Sequence, residues 1–225
     1  MKRIIIICEG QTEQAFCNDI LNPYFSLKDI FIENPTIKKT NGGIVNWSAL
    51  KHQIVDLHLK KDKTAFITTF IDYYGIYAHH KFPNWLESQK LIIKNDAIDL
   101  IEKGMKGDLE IDYQHRFIPY IQLHEFEGLL FSDIQVYENS FEPNEFLDKE
   151  YLVETINEFA NPEMINSGIE SAPSKRLSKI LKSYFSENEN SKVIFGSLLA
   201  NDIGLEKIRS KCPRFDAWIT QLEAI

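Results

Sequence analysis

The sequence predicts an α/β protein: a mostly parallel sheet with helices on both faces, followed by a helical C-terminal region. Three observations predict it. Residues 4–8 (Ile-Ile-Ile-Ile-Cys) and 64–71 (Thr-Ala-Phe-Ile-Thr-Thr-Phe-Ile) are short runs of apolar and β-branched residues, as in strands buried on both faces. Segments of helical character follow them, and strands alternating with helices form parallel sheets. Beyond about residue 146 the pattern turns helical, with no convincing strand. The expected organisation is an α/β domain over residues 1–145 and a helical extension, 146–225, packed on it.

The elements follow in order. The first strand ends at Glu9, and Thr12 is the expected N-cap of a helix running to about Leu21, stopped by Asn22-Pro23. Residues 30–39 read as a further strand, and Asn41-Gly42-Gly43 as a turn. Trp47, Leu50, Ile54 and Leu57 recur at helical spacing. The strand over 64–71 ends at Asp72, and a loop through His79-His80 leads to a helix over 86–103. Residues 116–123 read as another strand, which Pro119 places at a sheet edge because proline cannot donate to a ladder.

The bulk properties narrow the function classes. A chain of 225 residues with 44% hydrophobic content suits one large domain, or one with an appendage. Its formal net charge of -8 makes it no general electrostatic trap for nucleic acid. A carboxylate metal site would itself add to that negative balance, so a phosphate-bearing substrate stays open. Cys8, Cys17 and Cys212 fit neither a disulfide framework nor a zinc knuckle. They point to a reducing, cytoplasmic setting. The apolar run after Met1-Lys2-Arg3 stops at Glu9, too soon for a signal peptide, and no stretch approaches the ~20 apolar residues of a membrane helix.

The informative feature is where the acids fall. Glu9 follows the first strand, Asp72 the second strong strand, and Glu125 with Glu127 the third. Parallel strands bring their carboxyl ends to one edge, where open α/β sheets bind ligands. Carboxylates gathered there repel unless some are protonated or a cation lies between them. Mg²⁺ or Mn²⁺ is the expected cation, because both favour oxygen ligands and leave room for water and phosphate. The metal ligands expected are Glu9, Glu13, Asp72, Glu125 and Glu127. Each acid also has a plainer reading. Strands end in polar residues wherever they reach the surface. Glu13, Glu127 and Asp133 suit the starts of helices. His124 reads as a general base, a metal ligand or a hydrogen-bonded core histidine. His79-His80 reads as an exposed loop. Ser167 and Ser174 lie in no nucleophile elbow, and Gly42-Gly43 lacks the lysine of a phosphate loop. Among the late basic residues, Lys175 and Arg176 are the candidates for holding phosphate, against the plain reading of a solvated helical face.

The chain also resembles a family. Cys8-Glu9-Gly10-Gln11-Thr12-Glu13 after an isoleucine strand is similar to the opening of bacterial Toprim-like proteins. The blocks 69–75, 122–131, 172–176 and 212–218 resemble domain-of-unknown-function family 4276, in order along nearly the whole chain. The resemblance implies a Toprim-like, Rossmann-like fold. It is shared with topoisomerases, primases and nucleases of the overcoming-lysogenization-defect type. In those, a glutamate after the first strand assists acid–base chemistry, and an Asp-x-Asp after a later strand binds Mg²⁺. Glu9 matches the first and Asp72 the first aspartate, but Tyr74 stands at the second. The implied function is a divalent-metal-dependent nuclease or phosphoryl-transfer enzyme in bacterial defence or mobile-element settings, with Glu9 catalytic; His124, read from the residues alone, is the second catalytic candidate. The alternatives are a non-catalytic effector subunit of an ABC- or structural-maintenance-type ATPase, and a small-molecule phosphohydrolase. The implied partners are nucleic acid and that ATPase.

Overall fold

The computed structural model describes residues 2–38, 43–166, 168, 171–182, 184 and 189–225, except the side chains of 189–192. Asn41, Gly42, Ser167 and the Lys192 side chain therefore lie outside the described residues. The chain divides into two compact units: residues 1–123 with 218–225, and residues 124–217. The boundary expected at 145/146 falls inside the second of these.

The first unit holds a five-stranded sheet of β1 (Lys2–Cys8), β2 (Ile30–Glu33), β3 (Phe66–Asp72), β4 (Phe117–Ile118) and β5 (Ile121–Gln122). The order is β2-β1-β3-β4, with β5 also on β3, and every pairing is parallel. Burial explains the composition of β1, where Ile4, Ile5, Ile6, Ile7 and Cys8 are all buried. Alternate residues face opposite sides. Ile5, Ile7 and Ile67 join a core with Leu50, Ile54, Ile98, Ile101 and Met105, from helical segments covering one face. On the other, Phe70 packs edge-on against Phe16 at 6.0 Å and tilted against Trp218 at 5.2 Å. The Trp218 indole N–H donates to Thr68 Oγ1 at 2.9 Å, giving a buried polar tip the partner it needs.

The strands are where the apolar runs place them, and the boundaries differ for local reasons. The third expected strand is split into β4 and β5 around Pro119 and Tyr120, at the sheet edge. Across the gap Thr69 Oγ1 accepts from the Tyr120 amide at 3.0 Å and donates to its carbonyl at 2.8 Å, replacing ladder bonds. The strand expected over 30–39 shortens to β2. The first helix is capped by Gly10, not Thr12, because Glu13 reaches back to the Gly10 amide. Nor does it stop at Asn22-Pro23. It passes from Gln11–Phe16 through a π-helical stretch, Cys17–Leu21, into Asn22–Ser26, where Pro23 occupies a first turn that needs no amide donor. The helix expected over 86–103 breaks into Trp85–Ser88 and Lys94–Gly107.

The second unit is helical, as expected, with helices that include Lys149–Glu158, Pro173–Ile180, Glu189–Ile203 and Leu205–Lys211. Leu129, Phe131, Leu152, Leu177 and Ile208 are among its buried residues. Its extended pairing is an isolated bridge between Phe146 and Leu181. At Gly128 a Cβ would come 3.2 Å from the Pro162 carbonyl oxygen, so the two backbones approach closely only because that residue is glycine. Among the described residues no helix is long and apolar enough to cross a membrane.

Candidate functional site

The sheet order creates a switch point. β1 pairs with β2 on one side and β3 on the other, so the connections leave β1 in opposite directions. Open α/β sheets have their crevice at such a point, outside the carboxyl ends of the strands. Glu9 and Asp72 stand there. Cys8 is in register with Phe70, and the Glu9 amide donates to the Phe70 carbonyl at 2.9 Å. Glu9 Oε2 accepts the Asp72 backbone N–H at 2.9 Å, which fixes the carboxylate across the end of β3. Both side chains are half-buried. The turn Tyr73–Gly75 closes against this group: a Cβ on Gly75 would lie 3.1 Å from Glu9 Oε1.

Glu13 completes the cluster. It is 6% exposed, and its Oε2 accepts from the Gly10 amide at 2.8 Å. Burial first, and then the Glu9 charge, push its carboxyl up to about 7, although the Gly10 amide pulls the other way. Two acids therefore compete for one unshielded region. Below about 7 the conflict is relieved by a proton on Glu13, and a cation would relieve it above that. Among the described residues no three Asp, Glu, His or Cys side chains are placed to hold a metal ion together. A hard cation held by one or two carboxylates fills its shell with water and substrate oxygen, so the Glu9 and Asp72 oxygens are a donor pair of the right chemistry. Cys8 and Cys17 lie nearby with Sγ atoms 3.8 Å apart, both buried, and burial holds the Cys8 thiol well above its ordinary value.

The remaining sequence candidates belong to the second unit. His124, buried and with φ of 68°, has Nδ1 3.2 Å from the Asn166 side-chain amide, which donates to it. Glu125 Oε2 accepts the Ser174 amide at 2.9 Å and so caps the helix Pro173–Ile180. Glu127 accepts from the Tyr184 hydroxyl at 2.7 Å. Lys175 is exposed, whereas its neighbour Arg176 is 3% exposed. The Arg176 guanidinium donates to the Ser171 carbonyl, Thr155 Oγ1 and Glu158, and lies over the Phe159 ring at 4.9 Å. These bonds hold helices together.

Three residues of consequence escaped sequence reading. Gly75 is betrayed only by being a glycine close after a strand-end acid. Gln122, buried and in register with Asp72, accepts from the Tyr120 hydroxyl at 2.5 Å. Glu163, 2% exposed, takes the Arg214 and Phe215 amides at 2.8 and 2.9 Å, and burial raises its carboxyl despite them. No sequence signal marks it, because the helix it caps starts 50 residues on.

The family model of DUF4276, a domain of unknown function, matches residues 8–223. The chain belongs to the DUF4276 family. Both Glu9 and Asp72 fall inside the matched span of this DUF4276 chain, as does the whole second unit. No curated protein and no solved structure matches it.

Proposed function

We propose that this DUF4276 protein is a divalent-metal-dependent phosphoryl-transfer enzyme, of the nuclease type that a Toprim-like relationship implies. The observation that carries the reading is the pairing of Glu9 with Asp72 at the switch point. Two strand-end acids share it, tied by the 2.9 Å bond from the Asp72 amide, beside a third acid raised to about 7. Mg²⁺ or Mn²⁺ held by Glu9 and Asp72 would supply charge neutralisation on phosphate and a more acidic bound water. Glu9 is held by the Asp72 amide and by the close Gly75 turn, so its carboxylate keeps one orientation at the end of β3. Glu13 holds or yields a proton near neutrality, where general acid–base groups are most effective.

Calorimetric titration with Mg²⁺ and Mn²⁺, followed by incubation with DNA, RNA and a phosphoester panel, tests this. Binding and cleavage are expected, both strongly reduced in Glu9→Gln and Asp72→Asn. A protein that binds neither cation and cleaves none of the three substrate classes overturns the reading. Cleavage confined to the small phosphoesters makes it a phosphohydrolase.

Tyr74, where the resemblance expects a second aspartate, favours a second reading: a non-catalytic effector subunit of an ABC- or structural-maintenance-type ATPase. Co-purification with such an ATPase, and biological activity unchanged in a Glu9→Gln/Asp72→Asn double variant, distinguish it.

A further inference from the structure

The second unit contains a cavity of about 570 Å³ that plays no part in the reading above. Its volume falls in the range of small-molecule sites, about 300–1,000 Å³. The walls are apolar over Phe131, Ile156, Phe159 and Ile165. Phe159 is held by the buried Arg176 guanidinium over its ring, which gives that wall a fixed post. Polar side chains make up the rest of the wall: Ser132, Asp133, Gln135, Asn161, Ser210 and two lysines. Lys207 and Lys211 lie one turn apart on the helix Leu205–Lys211 and both line the cavity. Lys207 is paired with Asp133 at 3.2 Å, while Lys211 has no ion-pair partner among the described residues.

We propose that this cavity binds a small organic anion: a flat or compact apolar body bearing one phosphate or carboxylate. The apolar body replaces water against the half-buried Ile156 and Phe159. The anionic group meets Lys211, whose charge Asp133 does not neutralise. Inorganic phosphate alone lacks the apolar body, and an uncharged ring lacks the partner for Lys211, so each half binds more weakly than the whole.

Two whole probes separate the sources of the anion. Adenosine 5′-monophosphate carries a ring and a phosphate. Indole-3-acetate carries a ring and a carboxylate. Calorimetry is expected to show binding of at least one, with adenosine, indole and inorganic phosphate each at least about tenfold weaker. Lys211→Glu, a change at an exposed side chain, is expected to weaken the bound probe about tenfold. Ile156→Trp, which fills the cavity, is expected to abolish binding. A Glu9→Gln variant is expected to bind as well as the wild type. No binding of either whole probe overturns the proposal. So does binding indifferent to Lys211→Glu, and so does binding lost in Glu9→Gln, which would place the probe in the first unit. If Ile156→Trp does not fold, Lys211→Glu decides the matter alone.

Discussion

The acids of the two units solve opposite problems. In the first unit Glu9 and Glu13 crowd one another, and Glu13 answers by holding its proton up to about 7. In the second, Glu125 and Glu163 each point at the start of a proline-headed helix and accept its amides. Helix N-termini carry unsatisfied donors and partial positive charge, which favour those carboxylates and at Glu163 work against a burial that still raises its carboxyl. The comparison teaches that an acid at a strand end or loop says little until the partners of its oxygens are known. Acids satisfied by backbone amides hold the fold together. Acids left facing each other hold free energy that a proton or a ligand can release.

Four substitutions break or sharpen this contrast. The largest effect is expected at the second unit's buried cation. Arg176→Ala removes donors to Ser171, Thr155 and Glu158, and is expected to cost about 3 kcal/mol in denaturant unfolding. Glu163→Ala comes next, because it leaves two helix amides without acceptors, and a loss of about 2–3 kcal/mol is expected in the same assay.

Glu13→Gln should act with the opposite sign. Its carboxyl is raised in the folded protein, so the unfolded chain loses that proton first as pH rises. Wild-type stability from this group is therefore full below about 4.5, lost between about 4.5 and about 7, and flat above. The variant should be more stable by about 1–2 kcal/mol at pH 8 and equal near pH 4, as read from unfolding curves across pH. If Mg²⁺ occupies the site, adding it should flatten the wild-type slope and leave the variant's unchanged. A Glu13→Gln variant less stable than wild type at pH 8 would remove the crowding argument. The smallest effect is at Gly75. Gly75→Ala places a Cβ 3.1 Å from Glu9 Oε1 and should cost under about 1 kcal/mol of stability. It should nevertheless weaken cation binding several-fold by calorimetry, because the carboxylate must shift.

Much of the first unit was legible in the amino-acid order. Residues 4–8 and 64–71 could be read as doubly buried strands because both sheet faces demand apolar or β-branched side chains. Glu9 and Asp72 followed as the polar residues at the ends of those strands. Pro119 announced an edge, since a missing amide is tolerated only there. The starts and stops of helices were less legible. Gly10 rather than Thr12 became the first cap because Glu13 folds back onto it. Pro23 failed to end the helix because a π-helical stretch changed the pattern of amide demand ahead of it.

By itself, then, the sequence determined the class of fold, the parallel strands, and the meeting of Glu9 with Asp72 at one rim, because side-chain periodicity and strand direction are local properties. Tertiary structure alone decided what each acid does there. Ser174 reaches Glu125 across 49 positions, and Phe215 reaches Glu163 across 52. A carboxylate's charge state and role depend on the groups within a few ångströms of its oxygens, and chain order does not encode that distance.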